Sequence, residues 1–316
     1  MSNSDQGESY FAGIDVCGQT MRAVVISAGG DVVERRTQAR EGEDLVEPIA
    51  NFVTELRKIK PLKSVGVGIP GLVNRETDRV LISTGLPSAA HGNIHLDLMN
   101  ATGLRFEIEN DANAAAYGEY KAGAGRDAND LFYIGIGDSI GGALILGGKL
   151  WVGASGCAGE FGHITIDTEG IECVCGNRGC LETVAAAPNI VRRARDRLDR
   201  DSTSSLSRLS MAENGFSAGD VAREATNGDD FAAMMIERTG KYIGTAVASI
   251  INLLSIERIV LGGGVMDAGE LILKPIIEEA QRRSFQPCFE ATRIVAAELG
   301  ADGVAVGAAL LARDAS

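Results

Sequence analysis

A chain of 316 residues has room for two domains at roughly 150 residues each. Its composition, 45% hydrophobic and 23% charged, is that of a globular protein with enough apolar residues for two cores. Forty-three acidic residues against 30 basic ones give a formal net charge of −13, which argues against a general nucleic-acid binder, because neutralising phosphates takes Lys and Arg. That argument leaves room for a small anion in a local pocket.

Residues 1–9 read as a loose polar tail without the apolar core of a signal peptide. Three strand-like runs follow, Phe11–Val16, Met21–Ser27 and Asp31–Gln38, with a turn at Ala28-Gly29-Gly30. The third run is polar and reads as an edge strand. From Asp44 to Lys60, apolar residues at 45, 46, 49, 52, 53, 56 and 59 predict a helix. Pro48 falls in its first turn, where proline is tolerated. Ser64–Ile69 predicts a strand ending at Pro70-Gly71. Leu104–Ile108 predicts another, running into Glu109-Asn110-Asp111, and an Ala-rich helix follows over Ala112–Ala122.

A second block starts near Asn129, again with three strands: Leu131–Ile136, Gly142–Leu146 and Lys149–Val152, the last two joined by Gly147-Gly148. Helices are expected over Glu182–Leu198, Ser217–Ala225 and Phe231–Leu254, and a Ser-rich loop over residues 199–216. Strand Ile256–Leu261 ends in Gly262-Gly263-Gly264. A helix near Gly269–Arg283, strand Arg293–Ala297 and helix Val304–Arg313 close the chain. A meander followed by alternating helices and strands therefore occurs twice. The expected division is an N-terminal unit of residues 1–128, with which the C-terminal helix 304–313 can associate, and a C-terminal unit of residues 129–316. No run approaches the roughly 18 apolar residues of a membrane helix, so a cytoplasmic protein without a membrane partner is expected.

Ligands of open α/β sheets bind outside the carboxyl ends of strands. Asp15, Asp111, Gly137 and Gly262 all fall at or just after predicted strand ends. Two such halves facing each other would make a cleft.

Of the six cysteines, Cys17, Cys157 and Cys288 are scattered, while Cys173, Cys175 and Cys180 lie within eight residues. With His163 they form H-x9-C-x-C-x4-C, a set of four ligands suited to a closed, structural tetrahedral zinc site. The alternative is a group of free buried thiols. A Cys173–Cys175 disulfide would be strained in so short a ring. Glu160 stands three residues before His163 and Glu182 two residues after Cys180. Either they are solvated surface glutamates, or the knot fixes both carboxylates to hydrogen-bond a ligand rich in hydroxyls.

Asp111, between strand and helix, has two readings: a helix N-cap, or a functional carboxylate. The glycines of Gly135-Ile136-Gly137-Asp138-Ser139-Ile140-Gly141-Gly142 and of Gly262-Gly263-Gly264 either make tight turns or let backbone N–H groups approach a phosphate. Neither run is a P-loop, since no G-K-[ST] follows.

Taken together, the motifs resemble the ROK family (repressors, open reading frames and kinases). The resemblance runs from about Phe11 to Arg313. Its most specific part is AGEFGHITID followed by CVCGNRGCLE, and ENDANAAAYGE, GVGIPGLVN, LGGGV and GADGVAVGAALLA also look like family segments. The resemblance implies an α/β, actin-like (ribonuclease-H-like) fold of two similar lobes around a central cleft. It implies transfer of the ATP γ-phosphate to a hexose or N-acetylhexosamine, glucokinase-like, with a structural Zn2+ and with Mg2+ accompanying ATP. Asp111 matches the family's general base, and Asn110, Asp111, Glu160, His163 and Glu182 match sugar-contacting positions, with Gly71 in the substrate loop. Asp15 matches the carboxylate near Mg2+ and phosphate; Gly18, Gly137, Gly141, Gly142, Gly262, Gly263 and Gly264 fall in the matching phosphate and nucleotide loops. A homodimer or homotetramer is implied as well.

The chain departs from the family pattern in its phosphate loops. D-x-G-G-T becomes Asp15-Val16-Cys17-Gly18-Gln19, and G-T-G-x-G-G becomes Gly137-Asp138-Ser139-Ile140-Gly141-Gly142. Asp138 replaces a hydroxyl donor by an anion, whose repulsion of a phosphate charge at about 4 Å and an effective dielectric near 20 is roughly 4 kcal/mol. Gly85, in Ser83-Thr84-Gly85-Leu86-Pro87, stands where the kinases often carry Asn. These departures define the competing expectation: a sugar-binding or regulatory protein of the same family with little or no phosphoryl transfer. A family repressor would carry an extra N-terminal helix-turn-helix, for which a first strand by about residue 10 leaves no room.

Overall fold

β-branched and aromatic residues recur through residues 10–39, which pair as an antiparallel meander. Its strands are β1 (Tyr10–Cys17), β2 (Thr20–Ser27) and β3 (Val32–Ala39). The computed structural model describes residues 9–40, 44–74, 79–82, 93–198, 203–213 and 215–316. The tail at 1–8, the segment Ser83-Thr84-Gly85-Leu86-Pro87, and positions 199–202 and 214 of the Ser-rich stretch lie outside the described residues. Tyr10 pairs with Ser27 at one end of β1 and Cys17 with Thr20 at the other. β3 alternates in burial, as an edge strand does.

Contacts group Met1–Asp127, Ala143–Ala158 and Glu298–Ser316 into a first unit, and Ala128–Gly142 with Gly159–Ala297 into a second. The division is therefore not a single cut near residue 128: residues 143–158 and the chain's last segment both return to the first unit.

In the first unit, α1 (Val46–Ile59) buries Ile49, Phe52, Val53 and Leu56 as its periodicity predicts. β4 (Leu62–Ile69) then runs parallel to β1. A short antiparallel pair, β5 (Leu72–Asn74) and β6 (Arg79–Ile82), follows, too short to show a period in the sequence. Next comes α2 (Ile94–Thr102), also outside the expected elements, capped by Asn93 and ended by Gly103 at φ 70°. β7 (Arg105–Asn110) lies parallel to β4 and leads into α3 (Asp111–Ala122). The sheet order is β3-β2-β1-β4-β7.

The final helix, Gly303–Asp314, lies against β1, β4 and α3. The approach is so close that a Cβ on Gly13 or Gly66 would stand 1.9 Å from a helix carbonyl oxygen, that of Ala305 or Ala308. These strand glycines serve backbone-to-backbone packing and not turns.

The second block repeats the layout. Its strands are β8 (Leu131–Ile136), β9 (Ile140–Leu146), β10 (Lys149–Trp151), β11 (Arg258–Gly262) and β12 (Arg293–Ala296), in the order β10-β9-β8-β11-β12. A meander of three followed by two parallel strands thus forms each sheet. Among the helices, the single one expected over Glu182–Leu198 is two, α4 (Glu182–Ala185) and α5 (Ala187–Leu198). Ala186 between them is extended (ψ 152°), and Pro188 restarts the chain in a new first turn. A short helix, α6 (Leu206–Ser210), interrupts the expected loop, because Asp229 accepts hydrogen bonds from Ser204 Oγ and from the backbone and hydroxyl of Ser205. α7 (Ala218–Thr226), α8 (Asp230–Leu254), α9 (Glu270–Arg283) and an unanticipated α10 (Gln286–Ala291) complete the set. Among the described residues, no helix is long and apolar enough to cross a membrane.

Candidate functional site

Strand register brings the carboxylates of the first unit together. Asp15, near the end of β1, is opposite Arg22 on β2 and beside Gly68 on β4; Gly68 in turn pairs with Glu109 on β7. Asp15 is 6% exposed, with Arg22 Nη1 at 3.7 Å from its Oδ2. Burial and the charge of Asp111 push the Asp15 carboxyl up to about 7, against the opposing pull of Arg22. Asp15 and Asp111 therefore share one electrostatic environment, although 96 positions apart in the chain.

The strand β7 extends two residues beyond the expected Ile108, and this decides the role of Asp111. The N-cap of α3 is Asn110, whose Oδ1 accepts from Asn113 N at 3.0 Å. Asp111 is the first residue of the helix, its Oδ1 accepting from Ala112 N at 2.8 Å. The capping reading of Asp111 is thereby corrected. Asn110 also donates through Nδ2 to the carbonyl of Gly71 (2.9 Å), tying the Pro70-Gly71 turn, where Gly71 has φ 125°, to the start of α3. Glu109, which was not singled out from sequence, is 4% exposed and accepts from Asn110 N and Asn113 Nδ2, both at 2.9 Å. It holds the cap residue from behind; only its place at the head of the ENDAN segment could have drawn attention to it. Cys17, Gly18 and Gln19 are exposed between β1 and β2, and the Gly18 carbonyl accepts from Arg40 Nε at 2.8 Å.

In the second unit, His163, Cys173, Cys175 and Cys180 place one ligand atom each within 4.8 Å of one another. Sulfur bound at about 2.3 Å and nitrogen at about 2.0–2.1 Å around a tetrahedral ion stand roughly 3.8 Å (S to S) and 3.6 Å (S to N) apart. The Cys175–Cys180 sulfurs are 3.8 Å apart, and Cys173 Sγ is 3.6 Å from His163 Nδ1. The donor set thus fits zinc. Backbone hydrogen bonds from Ile166 N to Gly179 O, Leu181 N to Ile164 O and Cys173 N to Asn177 O shape the knot. Burial and the neighbouring Cys173 and Cys175 push the Cys180 thiol up to about 12.

The carboxylates flanking the knot differ in use. Glu160 Oε2 faces His163 Nε2 at 3.9 Å; burial raises its pKa, His163 opposes the shift and Glu182 adds to it. Glu182 Oε2 accepts from Ile140 N at 2.8 Å. Glu160, His163 and Glu182 are thus neighbours.

The glycine runs divide by purpose. Gly137 N donates to Ser139 O (2.9 Å), closing a tight turn whose Asp138 and Ser139 are exposed. A Cβ on Gly142 would stand 2.7 Å from Gly159 O, and one on Gly262 2.6 Å from the Tyr133 hydroxyl, so both glycines answer to packing. Gly141 is half-buried at the start of β9. Gly263 has φ 87° and no room for a side chain beside Ile136. Gly264 alone of these three opens on space, bordering a cavity of about 200 Å³ lined also by Ile190, Ala222, Arg223 and Val265.

The sequence profile described as the ROK family matches residues 11–315. The glucokinase of Thermotoga maritima is 32% identical over 96% of this chain and 96% of its own length. The xylose repressor of Bacillus subtilis is 26% identical over 94% of this chain and 75% of its own. Among solved structures, a ROK family glucokinase from Streptomyces griseus in complex with glucose and AMPPNP superposes with a TM-score of 0.86 and 31% identity, covering 96% of this chain and 99% of that one. The fold is accordingly the actin-like ATPase fold.

Proposed function

Because the chain belongs to the ROK family, we propose that it phosphorylates a hexose or N-acetylhexosamine with ATP, Asp111 being the general base. The observation that carries this reading is the placement of Asp15 and Asp111 at one end of the first sheet: burial, and after it the charge of Asp111, hold the Asp15 carboxyl at about 7. A structural protein gains nothing from such repulsion, whereas a phosphoryl-transfer site uses one carboxylate for the cation and the other for the attacking hydroxyl.

Asp111 accepts the hydroxyl proton as the oxygen attacks phosphorus, while Asn110 and the Gly71 turn it holds orient the sugar. Glu160, His163 and Glu182 bind further hydroxyls. Asp15 is the residue that would hold Mg2+, whose charge offsets that of the phosphates. Gly18, Gly137, Gly141 and Gly142 line the path of the phosphates, and Gly262, Gly263 and Gly264 lead to the nucleoside. His163, Cys173, Cys175 and Cys180 would hold a structural Zn2+; their four ligands leave no open position for water, so the metal supplies shape and not chemistry. The protein acts in the cytoplasm as a homodimer or homotetramer, an assembly that light scattering checks.

A second reading, a sugar-binding regulator without turnover, is favoured by Asp138, an exposed anion where the family carries a threonine. A coupled assay of ADP release over a panel of hexoses and N-acetylhexosamines decides between them. Sugar-dependent turnover, lost in Asp111→Asn, supports the kinase. No turnover at millimolar ATP, with calorimetric sugar binding that needs no ATP, supports the regulator.

A further inference from the structure

The metal knot and the chain just after it touch the loop at residues 137–142, which is the turn before β9 together with that strand's first three residues. Glu182 Oε2 accepts the hydrogen bond of Ile140 N at 2.8 Å. On the other side of the same residue, a Cβ on Gly162 would stand 2.3 Å from Ile140 O, so Gly162 is pressed against the peptide that follows Ile140. At the loop's other end, Ala187 N donates to Gly137 O at 2.8 Å. Gly162 immediately precedes His163, and Glu182 follows Cys180 by two positions. Both arms of the knot therefore grip one residue of the loop. The grip is stiff: Phe161 is 2% exposed and packs edge-on against Phe132, with ring centroids 5.4 Å apart. A methyl at Gly142 would also meet the 159–161 segment at 2.7–2.8 Å.

We propose that Glu182 is a positioning residue for the 137–142 loop: its carboxylate and the Gly162 backbone clamp Ile140, so that the knot sets the shape in which the loop meets the phosphoryl donor. The last clause rests on the kinase reading above; the clamp does not. The role goes beyond contact with the sugar, because it makes the sugar side of the knot and the donor loop one mechanical part. A distortion of either arm reaches the loop through a single residue.

The test measures amide hydrogen exchange at Ile140 and calorimetric affinity for a non-hydrolysable ATP analogue. The parent is compared with Glu182→Ala, Glu182→Gln and Gly162→Ala, with zinc content checked in each. In Glu182→Ala, exchange at Ile140 should accelerate by ~100-fold or more. Glu182→Gln keeps a side-chain oxygen to accept the bond and should stay within ~10-fold of the parent. Analogue affinity should fall ~10-fold in Glu182→Ala and Gly162→Ala while each retains its metal. Unchanged Ile140 exchange in Glu182→Ala overturns the clamp. Accelerated exchange with unchanged analogue affinity overturns the link to the donor. A parent that binds no analogue sinks the kinase reading instead, and the exchange result still decides the clamp. If Glu182→Ala does not fold, Glu182→Gln and Gly162→Ala carry the same comparison: a Gly162→Ala protein with parental Ile140 exchange and affinity refutes it.

Discussion

Asp15 is buried and Asp111 half-buried at one end of the first sheet, and the charge of Asp111 raises the pKa of the Asp15 carboxyl. Burial first, then the Asp111 charge, holds its carboxyl near 7, while Arg22 at 3.7 Å pulls the other way. Below pH 3.8 the Asp15 carboxyl is neutral in both folded and unfolded chains. Between 3.8 and about 7 the unfolded chain releases a proton that the folded one keeps, so stability falls as pH rises through that window and is level above it. Asp15→Asn cannot ionise. At pH 8 it should be more stable than the parent by roughly 2–4 kcal/mol, and at pH 4 it should show no such gain. Urea unfolding at the two pH values checks this, and equal gains at both would refute it.

Asp111 and Asn110 should separate chemistry from stability. Asp111→Asn is expected to lower kcat by ~100-fold or more with little change in melting temperature, since it does not cap α3. Asn110→Ala removes the cap and should cost about 1 kcal/mol. It also frees the Gly71 carbonyl, so KM for the sugar should rise. Steady-state kinetics and thermal melts of both variants measure the split.

Adjacent Asn and Asp are both good caps, so residue type alone could not tell which one caps α3. The answer lies in β7, which pairs Asn110 with Ile69 and so ends two residues later than its apolar run suggests. Local patterns of that kind were readable elsewhere: the β1–β3 meander, α1 and the spacing of His163 with three cysteines all stand out from neighbouring residues. Short elements such as β5, β6 and α10 carry too few residues to show a period. Glu119 shows the other limit. A lone Glu in an Ala-rich helix looks solvent-facing, yet it is 1% exposed, and two of its three backbone partners come from nearly 180 positions further on.

That glutamate yields a stability prediction. Its Oε2 accepts from Ala124 N (2.8 Å) and Glu298 N (3.1 Å), and its Oε1 accepts from Leu299 N (2.8 Å). Glu119→Ala strands three buried or half-buried donors, at about 1–3 kcal/mol each, and should destabilise the protein by roughly 3 kcal/mol or more. Glu119→Gln, which keeps one acceptor oxygen, should lose less. Denaturant midpoints of the two variants rank them.

The knot should hold about one zinc per chain by elemental analysis. Cys175→Ser should lose most of it and speed amide exchange from His163 to Leu181, where the backbone bonds of the knot lie. A chain that folds stably without metal, with the same exchange, would refute the assignment.

Asp138 is exposed, and solvent screening lowers the cost of its charge from the roughly 4 kcal/mol of an effective dielectric near 20 to about 1 kcal/mol at 4 Å in water. Asp138→Thr should therefore tighten ATP binding by about fivefold and not a thousandfold. Calorimetric titration of the two proteins compares them; an unchanged affinity would show that the charge points away from the phosphates.

The final helix carries a consequence for synthesis. It covers the face of the first sheet against which Gly13 and Gly66 lie bare, and eight of its residues are buried between that sheet and α3. Those residues emerge from the ribosome only after the whole 159–297 segment. During translation the nascent sheet thus waits with an uncovered apolar face, and the amino-terminal unit is the last to close. Its waiting time grows with the length of everything inserted between its halves, so slow translation of the middle segment prolongs the interval in which chaperones can hold the chain or aggregation can claim it.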